Sequence, residues 1–192
     1  VPASGSFINE STVLATYEDG NTKEFTADIS LVATGARPRV LDTAIPDGER
    51  ILTWDQLYEL DELPAKLIVV GSGVTGAEFA SAYQGLGSQV VLVSSRDRVL
   101  PGEDADAAAV IESVFERRGI DVMPHSRAIG AVWTDHGVLV TLKDGTEVHG
   151  SHVLLAVGSL PNTNQLNLES AGVNVDEHGF IVVDKVSRTS AR

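Results

Sequence analysis

Six residues constrain this chain more than any others. Gly71-Ser72-Gly73-Val74-Thr75-Gly76 follows the apolar run Leu67-Ile68-Val69-Val70 without a break, and it opens a segment whose apolar spacing predicts a helix over residues 75–86. A glycine-rich turn between a buried strand and a helix is a βα unit. Gly71 permits the tight turn, Gly73 lets a ligand approach the backbone, and Gly76 allows the helix to pack closely on the strand. Beyond it the sequence predicts a strand over 90–93 and a helix over 105–118, capped by Asp104 or Asp106 and stopped by Gly119, with a further strand over 120–123. Strands separated by helices of this length predict an α/β fold: a Rossmann-like parallel sheet covered on both faces, with an added antiparallel β-meander.

A helix N-terminus carries unpaired N–H groups and about half a positive charge, so this turn is suited to the pyrophosphate of a dinucleotide. Local binding matters here, because 27 acidic residues against 14 basic ones give a net charge of −13. That charge disfavours a nucleic-acid or membrane-surface partner held by general attraction. The chain has no cysteine, which removes disulfides, thiolate ligands and thiol nucleophiles, so redox chemistry has to come from a bound cofactor. No apolar run reaches the ~18 residues of a membrane span, so no membrane insertion is expected. His125, His136, His149, His152 and His178 lack metal-ligand spacing, so neither a metal site nor a catalytic residue is assigned. The N-terminus has no initiator Met and no signal-like stretch, and is expected to be the cut end of a longer protein.

The end of the second strand selects the cofactor. An acid about 20 residues beyond the glycine motif binds both ribose hydroxyls and repels a 2′-phosphate. This chain has Ser94-Ser95-Arg96 there, two small donors and a guanidinium suited to phosphate oxygens, which favours NADPH over NADH. Two alternatives stay open: Asp97 as a ribose ligand, or Arg96 stacked on adenine with NADH tolerated. Arg98 is read as a solvated charge.

Outside this unit, residues 12–18 and 23–27 read as strands joined at Asp19-Gly20, and 29–33 as a third strand closed by Thr34-Gly35-Ala36-Arg37-Pro38. Residues 39–50 read as a crossing segment, and 54–60 as a helix capped by Thr53. The early pattern recurs. Val13-Leu14-Ala15-Thr16 before Asp19-Gly20 matches Val138-Leu139-Val140-Thr141 before Asp144-Gly145, and Leu31-Val32-Ala33-Thr34-Gly35 matches Leu154-Leu155-Ala156-Val157-Gly158, at offsets of 125 and 123 positions. Two related nucleotide-binding folds are expected, each with a meander and a return strand.

These features together resemble the pyridine-nucleotide flavoprotein disulfide reductases, the family of dihydrolipoamide dehydrogenase and glutathione reductase. The resemblance rests on the Ala33-to-Pro38 segment, the Gly71-to-Gly76 motif with Ala77-Glu78, Gly87-Ser88, Ala156-Val157-Gly158 with Pro161-Asn162-Thr163, and Gly179 to Asp184. It implies residues 1–49 and 156–192 as parts of an FAD-binding domain and 50–155 as an NAD(P)H-binding domain. It also implies an FAD-dependent oxidoreductase passing hydride from NAD(P)H to flavin and on to a small-molecule acceptor, a quinone or a disulfide, in a cytoplasmic homodimer. By position, Glu78 would lie near the nicotinamide, Val157 and Gly158 would let it approach, Thr34 and Gly35 would lie against the flavin, and Val74 stands where relatives carry an aromatic gate. The family's first FAD motif, cysteine pair and His-Glu pair have no counterpart in these 192 residues. A dinucleotide sensor without enzymatic activity is the alternative reading, and an S-adenosylmethionine methyltransferase a more distant one.

Overall fold

The computed structural model describes residues 2–191, which divide into two units: residues 2–37 with 159–191, and residues 38–158. The first opens with β1 (Ser4–Asn9), β2 (Thr12–Thr16) and β3 (Thr22–Thr26), an antiparallel meander in that order. Asp19 makes the turn the sequence predicts, its carboxylate accepting the Asn21 N–H at 3.0 Å. Residues 29–33, expected as a third strand, are not one. Strand geometry needs a sheet edge to receive its N–H and C=O groups, and among the described residues no strand pairs with this run. Ile29 and Leu31 are each 89% exposed; only Val32 turns inward, toward a small cluster of Phe7, Leu168, Ala171 and Val173. β4 (Ala36–Pro38) pairs with the last strand, Ser159–Pro161 (β13).

The second unit runs β5 (Ile51–Leu52), α1 (Trp54–Leu57), β6 (Lys66–Val70), α2 (Val74–Leu86), β7 (Gln89–Val93), α3 (Ala105–Arg117), β8 (Asp121–Met123), β9 (Ala128–Thr134), β10 (Gly137–Leu142), β11 (Glu147–Gly150) and β12 (His152–Leu155). Five strands form one parallel sheet in the order β5-β12-β6-β7-β8. Because side chains alternate along a strand, Leu67, Val69, Val90, Leu92 and Leu154 point to one face and meet Ala77, Ala80 and Phe115 of the helices. Ile68, Val70, Val91, Val93, Val153 and Leu155 point to the other. There they meet Ala131, Val138, Val140, Leu142 and Val148 of the meander β9-β10-β11.

Helices therefore cover only one face of the sheet, not both as the strand–helix alternation predicts. The meander is amphipathic and buries its apolar side against the other face. Complete burial of side chains such as Leu67, Ile68 and Leu92 is worth roughly 1.5–3 kcal/mol each, which makes this two-sided core the main stabiliser of the unit. The meander also repeats the first one. Leu14 pairs with Glu24 and Ala15 with Lys23; Leu139 pairs with His149 and Val140 with Val148, the same register 125 positions on. The outer pairing differs by one residue, since Leu14 faces Ser6 while Leu139 faces Val132, and β1 carries a bulge between Phe7 and Asn9.

Residues 38–50 belong with this unit although they precede its first strand. The Thr43 carbonyl accepts the Ala131 N–H at 3.1 Å, and the Trp133 indole donates to Asp47 at 2.6 Å. Arg50 lies 5.5 Å over the Trp133 ring, and His152 lies at hydrogen-bond distance from Ser151. Burial works against the Asp47 carboxylate, but the Trp133 indole and the N–H groups of Arg50, Glu49 and Ile51 outweigh it and hold its pKa below the ordinary value. Burial, aided by the positive charge of Arg50 and partly opposed by Asp47, holds the His152 pKa down as well.

Both depressed values mean stability that is present above the unfolded pKa and lost in acid. Unfolding free energy is therefore expected to fall as pH drops below about 6.5, where unfolded histidine takes up its proton, and again below about 4, where unfolded aspartate does. Urea unfolding across pH 3–8 checks this: His152→Gln should flatten the upper step and keep the lower one.

Candidate functional site

The geometry of the site begins with why each glycine is there. Gly71 has φ +113°, and a Cβ on it would strike the Ala156 carbonyl. A Cβ on Gly76 would strike the Gly71 carbonyl. The packing of β6, α2 and the end of β12 thus demands both. Gly73 differs: its φ is −69°, open to any residue, and nothing lies within 4 Å of its Cβ position. Among the described residues, no atom beyond its immediate chain neighbours requires a glycine at 73.

The first helical hydrogen bond of α2 is Ala77 N–H to the Gly73 carbonyl at 2.9 Å. Val74, Thr75 and Gly76 precede it, so their N–H groups have no acceptor within the helix. Beside this loop, at the C-terminal ends of β6 and β7, a cavity of about 470 Å³ is lined by Gly71, Val93, Ser95, Arg96 and Val157, among others. Three residues that the sequence reading missed also line it: Arg39, Ser126 and Arg127. Three arginines and no carboxylate face this space in a chain of net charge −13. Among the described residues none of the three is ion-paired, the only such contact being His178 with Glu177.

Ser94 is not in the cavity, contrary to expectation. It is fully buried, and its hydroxyl lies 2.6 Å from that of Ser72, itself buried, which reaches the Arg98 carbonyl at 3.2 Å. Alternation explains this: Ser94 shares the face of Leu92, while Ser95 shares that of Val93 and opens to the cavity. Ser72 and Ser94 tie the glycine loop to the end of β7 and are occupied with each other, so neither hydroxyl is free for a ligand. Arg98 is half-buried rather than solvated, its Nε buried without a hydrogen-bond partner.

Val74 and Glu78 lie on α2 and line a separate, mostly apolar cleft between α2 and α3, with Leu100, Ile111 and Phe115. Glu78 is exposed there. Gly158 lines neither space; its carbonyl accepts the Arg39 N–H at 2.9 Å. Thr34 and Gly35 belong to the first unit, where the Thr34 carbonyl accepts an amide proton of Asn162 at 3.1 Å and the Gly35 carbonyl accepts the Asn162 N–H at 3.0 Å. Among the described residues no cluster of His, Asp or Glu is placed to hold a metal, and no helix is long and apolar enough to cross a membrane.

A parallel sheet with a glycine turn at the end of its middle strand, and a cationic cavity at the strand ends, defines a dinucleotide-binding fold. Residues 2–192 match the family described as pyridine nucleotide-disulphide oxidoreductase, and the chain belongs to that family. It is 56% identical over 179 residues to an NAD(P)H dehydrogenase (quinone) of Mycobacterium tuberculosis, which covers 93% of this chain and 36% of the relative. It is 34% identical over 190 residues to a dihydrolipoyl dehydrogenase of Zymomonas mobilis, covering 97% and 41%. Among solved structures, LpdA of Mycobacterium tuberculosis matches with a TM-score of 0.87 at 52% identity, over 100% of this chain and 43% of that one. The HOCl-induced flavoprotein disulfide reductase RclA of Escherichia coli matches at 0.81 and 28% identity, again over 100% and 43%. The chain spans about two fifths of the length of these relatives.

Proposed function

We propose that this chain binds NAD(P)H at the glycine loop and cationic cavity, and that it serves a flavoprotein oxidoreductase in which hydride passes from NAD(P)H to FAD and on to an acceptor. The observation that carries this reading is Gly73, whose side-chain position is empty and whose backbone is unstrained. Gly85 and Gly102 are equally unconstrained, but Gly73 stands at the turn that opens α2, where a bare backbone leaves room for a ligand to reach the N–H groups of the helix. The free N–H groups of α2 would receive the pyrophosphate, with Gly71 forming the turn beneath it and Val157 flanking it. Glu78 would accept the carboxamide N–H of the nicotinamide, Gly158 would let that end approach, and Thr34 and Gly35 would contact the flavin. Bound NAD(P)H supplies the hydride; the protein's part is to hold and orient it.

Arg96 and Ser95, both open to the cavity, favour NADPH, since a guanidinium pairs with a phosphate monoester and the acid that would repel one is missing. The 56% identity to an NAD(P)H dehydrogenase (quinone), against 34% to a dihydrolipoyl dehydrogenase, favours a quinone acceptor over a disulfide. The whole protein is read as a cytoplasmic homodimer.

Isothermal titration with NADPH, NADH and S-adenosylmethionine tests the reading. Binding of either dinucleotide is the expected outcome, and tight binding of S-adenosylmethionine alone would overturn it. Arg96→Ala is expected to weaken NADPH by about 1–3 kcal/mol, the range of charge-assisted hydrogen bonds, and to leave NADH nearly unchanged. Equal losses would remove the 2′-phosphate from Arg96.

A further inference from the structure

The strands β7 and β8 stop pairing as strands at Val93 and Met123, yet their backbones stay joined beyond that point. Ser94 N–H donates to the Met123 carbonyl at 2.9 Å, Ser126 N–H to the Ser94 carbonyl at 2.7 Å, and His125 N–H to the Arg96 carbonyl at 2.8 Å. His125 takes φ +54°, a left-handed turn rare for a residue with a side chain, which aims the following chain back along the first loop. On the far side, the Arg127 carbonyl accepts the Lys143 N–H of the β10–β11 turn at 2.8 Å. Arg127 is thus fixed from both directions. The two loops deliver Arg96 and Arg127 to the same cavity by backbone contacts alone, whatever rotamer either side chain adopts.

We propose that Arg127 is a specificity-determining residue, the second arm of a two-arginine clamp on the 2′-phosphate of NADPH, with Arg96 as the first. The proposal rests on the dinucleotide reading given above. A phosphate monoester is close to a dianion at neutral pH, and two guanidinium groups, unpaired with any carboxylate among the described residues, balance its charge without long-range help from an acidic protein. Neither arginine is needed by the pyrophosphate, which the N-terminal N–H groups of α2 receive. Ser126 contributes position rather than recognition, because its hydroxyl proton is donated to the Pro124 carbonyl at 3.1 Å.

The test is isothermal titration of the 192-residue chain and its variants with NADPH and NADH, and with 2′,5′-ADP and 5′-AMP as fragments that differ only by the 2′-phosphate. Arg127→Ala is expected to lower the NADPH-over-NADH preference at least tenfold and to lower 2′,5′-ADP affinity by a similar factor, with 5′-AMP nearly unchanged. Arg127→Lys should restore part of the loss, since it returns the charge without the fork. Lys143→Ala, which removes a nearby positive charge outside the cavity and keeps the backbone bond to Arg127, should leave the preference as it was. Equal losses for both dinucleotides in Arg127→Ala, or no loss, would overturn the clamp while leaving the dinucleotide reading intact. Failure of the unaltered chain to bind either dinucleotide would overturn the reading and the clamp with it. Arg127 is exposed, so its replacement is not expected to disturb folding, and matched urea unfolding curves confirm that each variant is folded.

Discussion

Gly73→Val is expected to weaken dinucleotide binding at least a hundredfold, about 2.7 kcal/mol, while leaving the urea midpoint of the chain almost where it was. The two effects separate because of what surrounds the position. A valine at 73 meets no protein atom within 4 Å of its Cβ and needs no unusual φ, so the folded state tolerates it. Its branched side chain would fill the space through which a pyrophosphate reaches the N–H groups of α2. Gly76→Ala provides the opposite pattern: its Cβ runs into the Gly71 carbonyl, and the backbone of the loop has to move, with an expected cost of about 1–3 kcal/mol or more in stability. Titration and unfolding measured on both variants check the pair. Retained affinity in Gly73→Val would mean that the loop is not where the ligand binds.

The second large effect concerns the return strands. Leu154→Ala is expected to cost about 2–5 kcal/mol, because Leu154 is fully buried in β12, between β5 and β6, and packs with Leu52, Leu67 and Leu92 against the helices. Leu31→Ala, at the matching place in the first copy of the repeat, should change stability by no more than about 0.5 kcal/mol, since Leu31 is 89% exposed. Denaturant unfolding followed by circular dichroism distinguishes the two. A comparable loss at both sites would mean that residues 29–33 are built into a core as β12 is.

That contrast marks how far the sequence alone can be read. Leu31-Val32-Ala33 and Leu154-Leu155-Ala156 are nearly the same words, and composition and spacing give no means of telling the run that finds two neighbouring strands from the one that pairs with none among the described residues. Pairing is decided by partners far away in the chain. The glycine motif was legible because its meaning is local: turn, close packing and helix start all lie within six residues. The helices on one face were legible from their period and the meander from its repeat, but that the meander, not further helices, covers the other face was not, since neither pattern says which face an element packs on. Ser94 is a different case. Counting alternate residues from Leu92 would have turned it inward and left Ser95 facing the cavity, whereas Arg96 reaches the cavity only because the chain has left the strand at Val93. Arg39 and Arg127 carry no sequence signal at all; they reach the cavity only because 38–50 packs beside β9 and because His125 reverses the chain.

The meander supplies half the core of its unit, and the Arg127 carbonyl is bonded to its β10–β11 turn. If the nucleotide binds in the cavity as proposed, cofactor affinity and meander stability would draw on the same free energy. Amide protons at Ala131 and Lys143, whose N–H groups hold the Thr43 and Arg127 carbonyls, should exchange with deuterium more slowly when the cavity is filled. A substitution that loosens this outer hairpin would register first as a weaker grip on the nucleotide.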